Sequence, residues 1–161
     1  MKFNMFLFIQ PSQFHIQNIY FLEKKINMIM DGYFTKFVFS NQYMTMNGLF
    51  FKLPQVTISP NFLTIDTIYN KEWIQRLCMI ERQILQYYQM FNISYDTKRS
   101  AIQKTPIYIL KTQLQKGVVK YYRDLQNGHS EQPSYYVKIS GIWESQYEIG
   151  ITFKIIEYRR I

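Results

Sequence analysis

Apolar and polar residues alternate most regularly near the C-terminal end of the chain. Over 135–144 the odd positions Tyr135, Val137, Ile139 and Trp143 are apolar, while Tyr136, Lys138 and Ser140 fall between them and Ile142 breaks the alternation. Over 149–156, Ile149, Ile151, Phe153 and Ile155 alternate with Gly150, Thr152, Lys154 and Ile156. Successive side chains of a strand point to opposite faces, so this pattern predicts two paired strands. Val137, Ile139, Ile151 and Phe153 are expected inside, and Lys138, Ser140, Thr152 and Lys154 outside, with Tyr136 on the outward set. Trp143 falls on the core side of the pattern, unless a bulge at Gly141 turns it outward.

The earlier part of the chain reads as a series of short strands. An apolar strand over Phe3 to Ile9 stops at Pro11, and 13–25 fits either strand or helix. Ile26 to Phe39 reads as a hairpin turning at Asp31-Gly32, and Tyr43 to Leu53 as a second one turning at Asn47-Gly48. Val56 to Ile58 adds a short strand. From Asn70 to Asn92 the period changes: Trp73, Ile74, Leu77, Cys78, Ile84, Leu85 and Tyr88 recur at helical spacing, with Asn70 as the N-cap and Glu72 in the first turn. Pro106 opens a short helix that carries Leu110 and Leu114 and ends at Gly117, or else Lys116-Gly117 turns a hairpin. Val118 to Arg123 is extended, and a polar loop fills 126–134.

This order predicts a β-rich α+β domain covering 1–161, an antiparallel OB-like barrel or sandwich with one long packed helix. With 161 residues, 47% of them hydrophobic, the chain is long enough to bury a core of its own. The single cysteine, Cys78, excludes an internal disulfide, and His15 and His129 offer no zinc spacing, so no metal or cofactor is expected. The apolar start of the chain ends too early, and without a small-residue cleavage site, for a signal peptide. No run approaches the ~20 apolar residues of a membrane span, so an intracellular protein without membrane partners is expected.

Charge changes the picture. The net charge is +8, and from Lys98 onward there are 11 basic and 5 acidic residues, against 8 and 6 before it. Thr97 to Arg123 carries Lys98, Arg99, Lys104, Lys111, Lys116, Lys120 and Arg123 and no acid. Such a surface attracts polyanions by releasing their counterions, with an acidic protein or membrane surface, or a merely solvated face, as the alternatives. The doublets Tyr121-Tyr122 and Tyr135-Tyr136 place one ring on each strand face, so one of each can serve the core while the other offers a flat surface for a base. Candidate phosphate ligands are Lys98, Arg99, Lys120, Arg123, Lys138 and Lys154. Candidate stacking residues are Tyr122, Tyr136 and Tyr158. The acids are dispersed, with no spacing that pairs carboxylates and no nucleophile or phosphate-loop motif, so no catalytic residue is assigned.

The run Lys138-Ile139-Ser140-Gly141-Ile142-Trp143-Glu144, followed by Gly150-Ile151-Thr152-Phe153-Lys154, resembles the closing hairpin of small single-stranded-DNA-binding proteins of large double-stranded DNA viruses. The resemblance covers this segment. It implies an OB-fold-like protein that binds single-stranded DNA, with RNA as the other strand to test, in viral replication or recombination, inside the host cytoplasm or nucleus. Replication-type binders often end in an acidic tail that recruits partners, whereas this chain ends Tyr158-Arg159-Arg160-Ile161. A structural or host-interaction protein that self-associates into a homo-oligomer through the same hairpins is the second expectation.

Overall fold

Ten strands and two α-helices make up the computed structural model, which describes residues 7–29, 31–95, 103–121 and 132–159. After two 3-10 turns, Pro11–Gln13 and Ile16–Asn18, come β1 (Ile19–Asn27), β2 (Gly32–Ser40), β3 (Thr45–Met46), β4 (Leu49–Lys52), β5 (Val56–Ile58) and β6 (Phe62–Ile65). The long helix α1 (Lys71–Tyr95) is followed by β7 (Thr105–Ile107), α2 (Ile109–Lys116), β8 (Val118–Lys120), β9 (Ser134–Glu144) and β10 (Glu148–Tyr158). A seven-stranded sheet runs β1-β2-β9-β10-β7, with β3 attached to β2 and β4 to β9, and a separate three-stranded sheet runs β5-β6-β8. β7 lies parallel to β10 and the other pairs are antiparallel, so the large sheet is mixed.

The sheets do not close into a barrel, which corrects the OB-like expectation. The reason lies around β9. Its one edge is shared by two strands: β2 pairs with 141–144 and β4 with 136–139. The predicted hairpin around Asn47-Gly48 therefore splits, β3 joining β2 and β4 joining β9, instead of the two pairing with each other. The sheet fans open along β9 where a barrel would need to roll shut.

One face of the large sheet is the core. Ile19, Phe37, Phe39, Leu49, Phe51, Val137, Ile139, Ile142, Ile149 and Ile151 are buried there. From α1 the residues Ile74, Leu77, Ile80, Ile84, Leu85 and Tyr88 are buried with them, the helical spacing read from the sequence. Asp66 sets the approach to α1: its Oδ1 accepts the N–H groups of Ile68 and Tyr69 at 3.0 and 2.8 Å. Asn70 directly precedes α1, but its side-chain amide donates back to the Asp66 carbonyl at 2.9 Å. The first turn is also braced by the Glu72–Arg76 pair at 2.8 Å.

α2 begins at Ile109, and Pro106 sits in β7, so proline does not open this helix. Its first turn is satisfied from outside. Glu81 of α1, fully buried, accepts the N–H groups of Leu110 and Lys111 at 3.1 and 2.8 Å, which puts a carboxylate against the positive end of a short helix. Gly117 ends the helix in the left-handed conformation with φ 69°, as its position in the sequence predicts.

Candidate nucleic-acid interface

The register of β9 against its neighbours assigns the second face of the large sheet. Directly opposed residues of an antiparallel pair share a face. One row across the sheet is Phe34–Trp143–Gly150, the next Lys36–Gly141–Thr152, then Phe50–Lys138–Lys154, then Lys52–Tyr136–Ile156. Between the second and third rows the register shifts by one residue: Thr152 faces Gly141 and Phe153 faces Ile139, so Ser140 is an extra residue on β9. This bulge reverses the alternation after Ser140. Ile142 and Glu144 turn into the core, and Trp143 joins Lys138 on the outer face, half-buried, which corrects its placement on the core side.

Two aromatic rings pack on this face where glycines leave them room. A side chain at Gly150 would come within 2.6 Å of the Trp143 indole, which rests over the glycine backbone. Phe34, directly opposite Trp143 in the adjacent strand, brings its ring tip to Gly141, its Cζ 2.8 Å from where a β-carbon would sit. Lysines surround the pair. Lys25 is opposite Phe34, Lys36 lies in the next row, and Lys138 stands opposite Lys154 with its ammonium 5.3 Å from the Phe50 ring centroid. None of Lys25, Lys36, Lys52, Lys138 and Lys154 forms an ion pair among the described residues. Exposed acids stand at the edges of the large sheet too, Glu148 at the start of β10 and Glu23 in β1, two residues before Lys25.

The groove beside β10 brings in Lys120. β7 pairs only with 148–150 of β10, and from Ile151 onward a groove of about 460 Å³ runs between β10, α2 and the end of β8. Lys120, Lys154, Trp143 and Phe153 line it. Two of the expected phosphate ligands, Lys120 and Lys154, thus share one groove, and Lys138 adjoins Lys154 on the sheet. Tyr136 does not present a free ring: it is only 5% exposed and packs on Phe8, with ring centroids 5.3 Å apart. Phe8 is held there because the following residue, Ile9, donates its N–H to the Phe50 carbonyl at 3.0 Å along the outer edge of β4. Tyr158 ends β10 on the same outer face, half-buried. Lys98, Arg99, Tyr122 and Arg123 lie outside the described residues.

Lys25, Lys36, Lys52, Phe34 and Phe50 are absent from the expectations drawn from the sequence, whereas Trp143 takes the outward alternative that a bulge beside Gly141 allows. Their signal was a lysine within each aromatic strand, Phe34-Thr35-Lys36-Phe37 and Phe50-Phe51-Lys52. It was hidden by weighing charge along the chain instead of across paired strands.

The core face holds a different kind of charge. Glu144, 3% exposed, receives Lys24 at 2.6 Å and Lys104 at 2.9 Å, and the Tyr88 hydroxyl donates to it at 3.0 Å. With its proton committed to Glu144, Tyr88 accepts from the Thr35 hydroxyl at 2.8 Å. Burial alone would raise the Glu144 carboxyl, but Lys24 and Lys104 outweigh it and hold it below its ordinary value. Burial raises the Tyr88 hydroxyl, reinforced by Glu144. This cluster ties β1, β2, β9, α1 and the approach to β7 together. Among the described residues no three His, Cys, Asp or Glu side chains gather as a metal-ligand set, and no helix is long and apolar enough to cross a membrane.

No protein-family model, curated protein or solved structure matches the chain.

Proposed function

We propose that the outer face of the large sheet binds single-stranded nucleic acid, DNA in the first instance, without reading its sequence, as in viral replication or recombination. The observation that carries this is the row Phe50–Lys138–Lys154. Two lysines directly opposed across strands repel each other, a cost to the fold that a bound polyanion converts into attraction. Beside them, the rings of Phe34 and Trp143 supply the second term of single-strand binding. Stacking on such a ring contributes roughly 1–3 kcal/mol per base whatever the base is. A strand crossing the face would meet Lys36 and Lys52 along its length, with Lys120 at the groove.

Fluorescence anisotropy with labelled single and double strands over a salt series tests this reading. Single strands are expected to bind more tightly than duplex, with a log-log salt slope of about −0.7 per phosphate contacted. Lys36→Ala should make that slope shallower. Phe34→Ala should weaken binding by roughly 1–3 kcal/mol at unchanged slope, because stacking releases no counterions. Equal or absent binding to both strands rejects the proposal.

A second reading is favoured by the β1–β2 turn, where Ile26, Met28 and Ile29 are 72%, 93% and 95% exposed at the tip of an edge strand. Self-association through that tip would give a concentration-dependent mass in light scattering that Ile29→Ser abolishes. A monomer at all concentrations removes this reading.

A further inference from the structure

On the core side of the large sheet, away from the outer face, α1 and α2 enclose a cleft of about 550 Å³. One wall is a single stripe of α1, Lys71, Gln75, Cys78 and Arg82, at the spacing that stacks side chains along one face of a helix. The facing wall is Lys111 and Gln115 of α2, one turn apart, with Tyr108 just before that helix. Lys111 is positioned by its own neighbour, its ammonium 5.8 Å from the centroid of the Tyr108 ring. The volume is in the range of small-molecule sites.

Within the protein Lys111 acts on Glu81 through space, opposing the rise that burial gives its carboxyl. Lys71, Arg82 and Lys111 form no ion pair among the described residues, and no acid lines the walls. The nearby carboxylate, Glu81, is turned into the first turn of α2, where both its oxygens accept backbone N–H groups. Arg82 and Lys111, from two helices, suit a dianion better than a single carboxylate, and a guanidinium matches phosphate oxygens with paired donors, while Lys71 stands at the other end of the stripe, about 16 Å along α1 from Arg82. Gln75 and Gln115 each offer both a donor and an acceptor, the complement of a heterocycle edge, and Ile74 and Tyr108 give the ring an apolar surround.

We propose that this cleft binds a phosphate monoester of a nucleoside, whether free or at the end of a strand. The site is independent of the outer sheet face and does not rest on the reading proposed for it.

Cys78, half-buried in the cleft wall, is the only cysteine in the chain and so reports on this site alone. Burial, reinforced by Glu81, raises its thiol, so alkylation is followed at mildly alkaline pH, by mass, on the full chain. Adenosine monophosphate is expected to slow alkylation saturably, by about eleven-fold at ten times its dissociation constant, because only free protein reacts. Arg82→Ala and Lys111→Ala should each weaken that protection by roughly ten-fold, compared as ratios within each variant. Unphosphorylated adenosine should protect far less. Protection by a 5′-phosphorylated oligonucleotide but not by its unphosphorylated twin assigns the same site to strand ends. The proposal is overturned if neither phosphorylated compound protects Cys78, if adenosine protects as well as its monophosphate, or if the double variant keeps full protection while melting at the parental temperature.

Discussion

The two faces of the large sheet hold lysines on opposite terms. On the core face Lys24 and Lys104 converge on one buried carboxylate, Glu144, and each cation has its partner within 2.9 Å. On the outer face Lys138 and Lys154 face each other, and Lys36 and Lys52 stand in neighbouring rows without an acid between them. A fold selected only for stability would not leave like charges directly opposed, since such pairs are destabilising. The aromatics differ in the same way: Phe37, Phe39 and Phe51 are sealed in the core, whereas Phe34 and Trp143 are half-buried beside glycines on the open side. One face uses its residues to hold the fold, and the other is furnished for something outside it.

The largest test of that division compares neighbours on β4. Phe51 is fully buried on the core face, and Phe50 is half-buried on the outer one. Phe51→Ala is expected to cost about 3–5 kcal/mol in urea unfolding, from lost burial and the cavity left behind. Phe50→Ala should cost about 1 kcal/mol, mostly from the contact with Lys138 and its neighbours. Similar losses for both would mean that the outer face is as much a core as the inner one.

Next in size is the buried charge cluster. Glu144→Gln keeps the shape but leaves Lys24 and Lys104 without a counter-charge, an expected loss of about 2–3 kcal/mol at neutral pH, below the range for fully buried pairs because the Lys24 side chain is 40% exposed. The pH dependence has a definite sign. Because the folded carboxyl lies below its ordinary value of 4.5, its contribution is complete above that value and is lost as pH falls through the folded one. Glu81 works in the other direction: burial raises it, so its contribution is present below 4.5 and lost as pH rises. The difference between parent and Glu144→Gln in urea midpoints should therefore shrink on acidification. A constant difference from neutral to acid pH would show that Glu144 is not the titrating group.

Much of this division follows from local pattern, and the rest depends on partners far along the chain. The helix over 70–92, the stop at Gly117, the β1–β2 hairpin and the inward set Val137, Ile139 and Ile151 are readable because each depends on neighbouring residues only, although the hairpin turns before Gly32, which already lies in β2 paired with Asn27 and is not at a positive φ. Trp143 was readable only as an alternative, since a single extra residue at Ser140 reverses every side chain after it, and the sequence marks that bulge only by Gly141 and by Ile142 breaking the alternation. Tyr136 lies on the outer face as the alternation predicts but offers no open ring, because Phe8, more than 120 residues earlier, covers it. The outer lysines Lys36 and Lys52 emerge as a group only when β2, β4 and β9 are brought side by side, a pairing the hairpin reading of 43–53 had excluded. Of the expected ligands, Lys138 and Lys154 are brought together by the β9–β10 pairing that the alternation predicts, and Lys120 joins them across the groove, a placement no local pattern specifies.

The smallest expected effect separates the two faces most sharply, because it asks stability and binding to move in opposite directions. Lys154 is exposed and directly opposite Lys138. Lys154→Glu replaces a repelling pair by an attracting one on adjacent strands, which should stabilise the fold by about 0.2–1 kcal/mol, less at high salt. If the outer face meets phosphates, the same change removes one cation and adds an anion at the centre of the contact. Affinity for a single strand should then fall, and the salt slope should become shallower by about 0.7 for the lost contact. Urea unfolding and anisotropy on the same preparation read both quantities. Loss of stability would show that Lys154 has a structural partner that the like-charge pairing conceals. A gain of stability with unchanged binding would place the strand, if one binds, away from the Phe50–Lys138–Lys154 row. Only a more stable protein that binds less tightly fits a face whose charges are arranged for a partner rather than for the fold.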